Sequence, residues 1–122
     1  MSKFNIIIAE DDNVLRDLYL RKLDKEVYDV RTAENGQIAL DLINEKVPDL
    51  LLLDINMPLL DGFEMLEKLP AEKRTFPIIV LTNLADQANR DRGASFNVAD
   101  YFVKKDMTIK SLIEMVETQL KK

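Results

Sequence analysis

Short apolar runs and longer mixed stretches alternate along the whole chain. Strand-length aliphatic or β-branched runs fall at Phe4–Ala9, Asp29–Ala33, Leu50–Leu53, Ile78–Thr82 and Tyr101–Val103. The stretches between and after them carry apolar residues at helical spacing. Behind an Asp12/Asn13 cap, Leu15, Leu18, Tyr19 and Leu23 mark a first helix. A second opens after Asn35-Gly36 with Ile38, Ala39, Leu42 and Ile43. A third, from Gly62 to about Leu69, is stopped by Pro70. A fourth, about Ala85–Phe96, is polar and weakly amphipathic, and Asn97 suits a left-handed cap. The last begins near Thr108 and buries Ile109, Leu112, Ile113, Val116 and Leu120.

Five βα units in sequence predict right-handed crossovers and an α/β fold, a parallel sheet with helices on both faces. The run Leu50-Leu51-Leu52-Leu53 has no polar alternation, which suits a strand buried on both faces. It ends in Asp54 and then in loop residues, Asn56 to Gly62. A carboxylate at the carboxyl end of a buried parallel strand stands where open α/β sheets hold their ligands.

Composition narrows the chemistry. The 122 residues, 47% hydrophobic and 32% charged, suit one globular domain spanning 1–122. Cysteine and histidine are both absent, which excludes disulfides, thiol catalysis, phosphohistidine on this chain and imidazole or thiolate metal sites. A metal here takes oxygen ligands, favouring Mg2+ over zinc or copper. The lack of cysteine fits a reducing, cytoplasmic setting. The start runs straight into a strand, unlike a signal peptide, and the apolar stretches are too short to span a bilayer, so no membrane association is expected. A net charge of −5 argues against direct nucleic-acid binding. Glycines at 36, 62 and 93 build neither a G-x-G-x-x-G nor a P-loop.

If the strands are parallel, their carboxyl ends share one rim. Glu10, Asp11 and Asp12 follow the first strand, Asp54 and Asn56 the third, Thr82 ends the fourth, and Lys104 follows Tyr101-Phe102-Val103. Clustered carboxylates resist joint ionisation unless a cation neutralises them, and a divalent metal on oxygen ligands resolves this. A hydroxyl and an ammonium beside such a metal suit a phosphoryl group, whose three oxygens need charge compensation. Asp54 is then the candidate nucleophile, forming an acyl phosphate.

At this point the whole chain resembles the receiver domain of two-component response regulators. The family's acidic pair after the first strand is matched by Glu10-Asp11, with Asp12 as a frequent third acid. Asp54 matches its phosphoacceptor, and Met57, Pro58, Asp61 and Gly62 match its M-P-x-x-D-G loop. Thr82, Tyr101 and Lys104 match its hydroxyl, aromatic switch residue and lysine. The resemblance implies a flavodoxin-like doubly wound (βα)5 fold with strand order 2-1-3-4-5. It implies Mg2+ (or Mn2+) held by Asp11, Asp54 and the Asn56 backbone carbonyl, and by Glu10 through water. The phosphoryl donor is expected to be a sensor histidine kinase or a histidine phosphotransfer protein. Thr82 is expected to move toward the phosphoryl group and Tyr101 to swing inward, reshaping the face of helix four, strand five and helix five. On this reading the chain is no enzyme beyond its own phosphorylation and dephosphorylation.

Two positions depart from the family pattern. Lys105 stands where proline usually follows the lysine, so the Lys104–Met107 loop is expected to be either trans and reshaped or locally strained. Asn83 replaces a usually small residue and is expected to narrow access to Asp54, while Asn56 and Leu84 flank the approach of water and bear on phosphoryl lifetime.

Plainer roles stand beside these. The Glu10–Asp12 acids suit a helix start, Thr82 an ordinary strand end, Lys104 a solvated lysine, Tyr101 a static half-buried ring and Asp61-Gly62 a turn. The competing function is a phosphorylation-independent interaction module on the same fold. A Mg2+-dependent aspartyl-phosphate hydrolase is disfavoured, because Asp54-Ile55-Asn56 lacks the second acid such enzymes resemble one another in having. With no output segment after Lys122, the chain is expected to be a stand-alone receiver or one cut from a longer regulator. Arg90, Asp91, Arg92, Asp100, Lys110 and Glu114 would furnish the charges of a homodimer or partner face.

Overall fold

The computed structural model describes residues 3–70, 72, 74–83 and 87–120, with backbone placement only for 87–89. Its strands are β1 (Phe4–Ala9), β2 (Tyr28–Ala33), β3 (Leu50–Asp54), β4 (Ile78–Thr82) and β5 (Asp100–Val103). The helices are α1 (Asn13–Lys22), α2 (Gly36–Glu45), α3 (Gly62–Glu67), α4 (Gln87–Ser95) and α5 (Ile109–Leu120). All strand pairs are parallel, in the order β2-β1-β3-β4-β5. This is the flavodoxin-like doubly wound arrangement expected above.

Alternation along the buried strands sorts the core into two layers. Ile7, Leu51, Leu53, Ile78 and Val80 face α2 and α3 and pack with Ala39, Ile43, Phe63, Met65 and Leu66. Ile6, Ile8, Leu50, Leu52, Ile79 and Leu81 face α1 and α5 and pack with Tyr19, Leu23, Leu112, Met115 and Val116. Every residue of β3 and β4 is buried, as a central strand covered on both sides must be.

The helix ends follow their local chemistry. The Asp12 carboxylate accepts from the Val14 and Leu15 amides and caps α1, and Asn35 caps α2 through the Ile38 amide. Asp61 and Glu64 form a reciprocal capping box at α3, so Asp61 starts a helix as well as ending a turn. At the far end of α2, the Arg31 guanidinium donates to the carbonyls of Leu42 and Lys46 at 2.8 and 2.6 Å.

Several expected boundaries shift. β2 and β5 each begin one residue earlier, and α3 ends at Glu67 because the Lys68 cap already tightens the last turn. Buried Met115 joins the α5 core, while Ile109, Ile113 and Leu120 are only half-buried. Asn97 adopts φ 57° after α4, as a left-handed cap should. The expected start of α4 at Ala85 lies outside the described residues, as does Leu84. Among the described residues no helix is long and apolar enough to cross a membrane.

Candidate functional site: an acid cluster at the carboxyl edge of the sheet

The chain leaves β1 toward β2 on one side and reaches β3 on the other, so the ends of β1 and β3 flank the topological switch point. Register holds the two ends level, with Ala9 opposite Leu53. Glu10 follows β1 and Asp54 ends β3, and both are almost fully buried, at 1% and 4% exposure. Asp11, beside them, is exposed. Carboxylate oxygens of Glu10, Asp11 and Asp54 all lie within 4.8 Å of one another.

Lys104 reaches this cluster from the end of β5. Its Nζ donates to Glu10 Oε1 at 2.6 Å and to Asp54 Oδ2 at 3.2 Å. The remaining oxygens are used locally. Glu10 Oε2 accepts from the Asp12 amide at 3.2 Å, and Asp54 Oδ1 accepts from the Asn56 amide at 3.1 Å. The Glu10 carbonyl accepts from Arg16, which ties α1 to the β1 end. Lys104 is thus a largely buried bridge between two acids and not the solvated lysine of the plainer reading.

The electrostatics follow from burial. Desolvation, a hydrogen bond with Glu10 and the Glu10 charge push the Asp54 carboxyl up to about 8, with Lys104 opposing them. For Lys104, burial alone would lower the ammonium, but the hydrogen bond to Glu10 and the charges of Asp54 and Glu10 outweigh it and raise it. One cation therefore under-compensates two buried carboxyls, and a third acid stands at the rim. Such an all-oxygen, charge-deficient cluster fits a hard divalent cation.

The loop that follows Asp54 is held by close backbone approach. The Gly62 amide donates to the Ile55 carbonyl at 2.8 Å, and the Gly36 amide to the Leu60 carbonyl at 3.1 Å. A Cβ on Gly62 would lie 2.7 Å from Ile55 Cα and 2.8 Å from the Asp54 carbonyl oxygen. In sequence Asp61-Gly62 suits a turn; in the structure Gly62 also sets the distance between α3 and the Asp54 backbone. Leu59, in the same loop, is 84% exposed and adopts φ 66°.

The other expected residues occupy the same rim. Thr82 is wholly buried at the end of β4, paired in register with Val103 just before Lys104. Asn83, next in the chain, is exposed, as is Asn56. Tyr101 on β5 is half-buried, its ring beneath the Arg90 guanidinium at 5.3 Å and beside Gly93 of α4. Lys104–Asp106 forms a 3-10 turn, and no described peptide is cis, so the Lys104-Lys105 peptide is trans. Helical spacing marks Tyr19 only as a core position of α1. Its buried hydroxyl has no hydrogen-bond partner among the described residues and lies within electrostatic reach of Glu10, Lys104 and Asp54. A phenol among the aliphatic positions of the helix that follows the acidic pair is the signal that marks it.

Fold and site together define a doubly wound α/β domain with an acid cluster and a lysine at its switch point. The response regulator receiver domain model matches residues 6–117, and the chain belongs to that family. It is 36% identical over 103 residues to a Guillardia theta protein named probable transcriptional regulator ycf27, a match covering 84% of this chain and 40% of that protein. The chain thus spans well under half of that relative. Among solved structures, the receiver domain of Francisella response regulator 1452 is 29% identical with a TM-score of 0.87, covering 98% of both chains. A CheY-like response regulator receiver domain protein from Methanospirillum hungatei is 27% identical with a TM-score of 0.89, covering 98% of this chain and 95% of that one. Vibrio cholerae CheY4 is 22% identical with a TM-score of 0.87 over 98% of this chain and 100% of its own, a likeness of fold.

Proposed function

We propose that this chain is a phosphoacceptor switch in which Asp54 takes a phosphoryl group from a phosphohistidine of a sensor histidine kinase or phosphotransfer protein. The observation that carries this reading is the Lys104 ammonium set between Glu10 and Asp54 in a buried cluster of acids. An Asp54 carboxylate oxygen attacks phosphorus, a P–O bond forms as the P–N bond breaks, and the electron pair of that bond leaves on the donor imidazole. Lys104, already 3.2 Å from Asp54 Oδ2, is placed to compensate charge on the incoming oxygens. Thr82 supplies a hydroxyl from the end of β4. Glu10, Asp11, Asp54 and the Asn56 carbonyl are the groups that would hold Mg2+ (or Mn2+), whose charge lets the cluster ionise and neutralises the phosphoryl oxygens.

The new group adds a charge of about −2 at the rim. Thr82 then turns toward it, and Tyr101 enters the space beside β4, altering the surface of α4, β5 and α5 through which a homodimer or other partner is controlled. The chain in this role catalyses only its own phosphorylation and dephosphorylation. Asn56, Asn83 and Leu84 govern access of donor and water. The test is incubation with a small-molecule phosphodonor and Mg2+, followed by intact mass beside Asp54→Ala. A phosphoryl adduct that needs both Mg2+ and Asp54 is expected. A folded protein that gives no adduct and takes up no fluoroberyllate would turn the assignment to a phosphorylation-independent interaction module.

A further inference from the structure

Tyr19 lies on the inner face of α1 and is 1% exposed, in the core layer shared with α5. Three buried side-chain atoms lack a hydrogen-bond partner among the described residues: Asn5 Oδ1, Arg31 Nε and the Tyr19 hydroxyl. A buried hydroxyl without a partner is costly, and a native one calls for a reason. Asn5 Oδ1 is only an acceptor, and the Arg31 guanidinium serves the carboxyl end of α2. The Tyr19 phenol differs from both because Glu10, Lys104 and Asp54 all lie within electrostatic reach of it. Burial, then Glu10 as the strongest of its charged neighbours, pushes it up to about 12, so it stays a proton donor at every working pH. Side chains of a helix lean toward its N-terminus, and the N-terminus of α1 follows directly on Glu10, Asp11 and Asp12.

We propose that Tyr19 is a positioning residue of the acid cluster: when Lys104 is drawn toward a phosphoryl group on Asp54, the Tyr19 hydroxyl replaces it as hydrogen-bond donor to Glu10. The inference rests on the phosphoacceptor reading above. In the resting arrangement Glu10 Oε1 depends on Lys104 Nζ at 2.6 Å, and the same ammonium serves Asp54. Movement of Lys104 with the group on Asp54 strips a buried carboxylate of its strongest donor. A buried donor with no other partner among the described residues and within electrostatic reach of Glu10, acting directly or through one buried water, prevents that loss. The hydroxyl is idle in the resting state because its function belongs to the other one.

The experiment compares wild type, Tyr19→Phe and Tyr28→Phe, the last removing a second buried phenol from the same core layer. Each is titrated with Mg2+ alone and with fluoroberyllate in the presence of Mg2+, followed by 19F NMR, and melted without metal. Tyr19→Phe keeps the ring that fills the core, so its metal-free melting temperature should equal or exceed that of wild type. Its fluoroberyllate affinity should fall about tenfold, the scale of one hydrogen bond to a charged group. Its affinity for Mg2+ alone should stay within about twofold, because Lys104 still serves Glu10 in that state. Equal fluoroberyllate affinity in Tyr19→Phe and wild type would overturn the role of Tyr19 and leave the phosphoacceptor reading standing. A matching loss in Tyr28→Phe would show a general packing effect and overturn it too. A wild type that binds no fluoroberyllate would overturn both.

Discussion

At the scale of single residues, Asp54 combines two conflicting demands. On the phosphoacceptor reading it must ionise to be a nucleophile, yet burial and Glu10 hold its carboxyl up to about 8. The conflict has a thermodynamic consequence. Because the folded state binds this proton more tightly than the unfolded chain, the contribution to stability is complete below about pH 4, the unfolded value, and is lost as pH rises through about 8. Lys104, also raised, would lose its contribution only at alkaline pH and does not mask this window. Metal-free protein should therefore lose melting temperature steadily between pH 5 and 8.5. Asp54→Asn removes the titrating group while keeping its shape, and should give a flatter profile and a higher melting temperature than wild type at pH 8. Parallel wild-type and Asp54→Asn profiles across that range would show that Asp54 is not the strained carboxyl.

At the scale of elements, what was legible in the sequence was whatever period and composition encode. The Leu50–Leu53 run announced a central strand, and Asp12, Asn35 and Asn97 announced helix boundaries through side-chain and backbone chemistry that acts locally. What was not legible depends on distances between elements. Gly62 against the Asp54 backbone, Gly36 against Leu60 and the idle hydroxyl of Tyr19 arise only when separate segments meet. The β3–α3 loop makes this testable. Leu59 holds a left-handed conformation that costs an L-residue with a side chain about 1–2 kcal/mol, and it gains little from packing because it is exposed. Leu59→Gly should raise stability by about 0.5–1 kcal/mol, the strain relief less the entropy that glycine adds to the unfolded chain. Gly62→Ala should lower it by about 2 kcal/mol or more, since its Cβ meets backbone, which cannot step aside as a flexible side chain can. Urea unfolding of both variants checks the pair. A Leu59→Gly that is less stable than wild type, or a neutral Gly62→Ala, would contradict this account of the loop.

At the scale of the molecule, the fold gathers like charge at one edge. The β1–β3 switch point brings Glu10, Asp11 and Asp54 together in a chain whose net charge is already −5, and among the described residues a single lysine answers the buried pair. Net stability of a domain this size is about 5–15 kcal/mol, so relief of that repulsion should be visible in global unfolding. A ligand that binds only the folded state stabilises it by about 2.7 kcal/mol at one hundred times its dissociation constant. For Mg2+ on this cluster the gain should depend on pH, because below about 8 a proton on Asp54 competes for the same oxygens. The melting temperature should therefore rise more on Mg2+ addition at pH 8.5 than at pH 6, by roughly 4 °C for each kcal/mol gained. Asp11→Asn, which removes an exposed acid of the cluster, should respond much less at both values. A Mg2+ response equal at the two pH values would separate metal binding from Asp54 ionisation. A response equal in Asp11→Asn would place the ion elsewhere on this acidic surface.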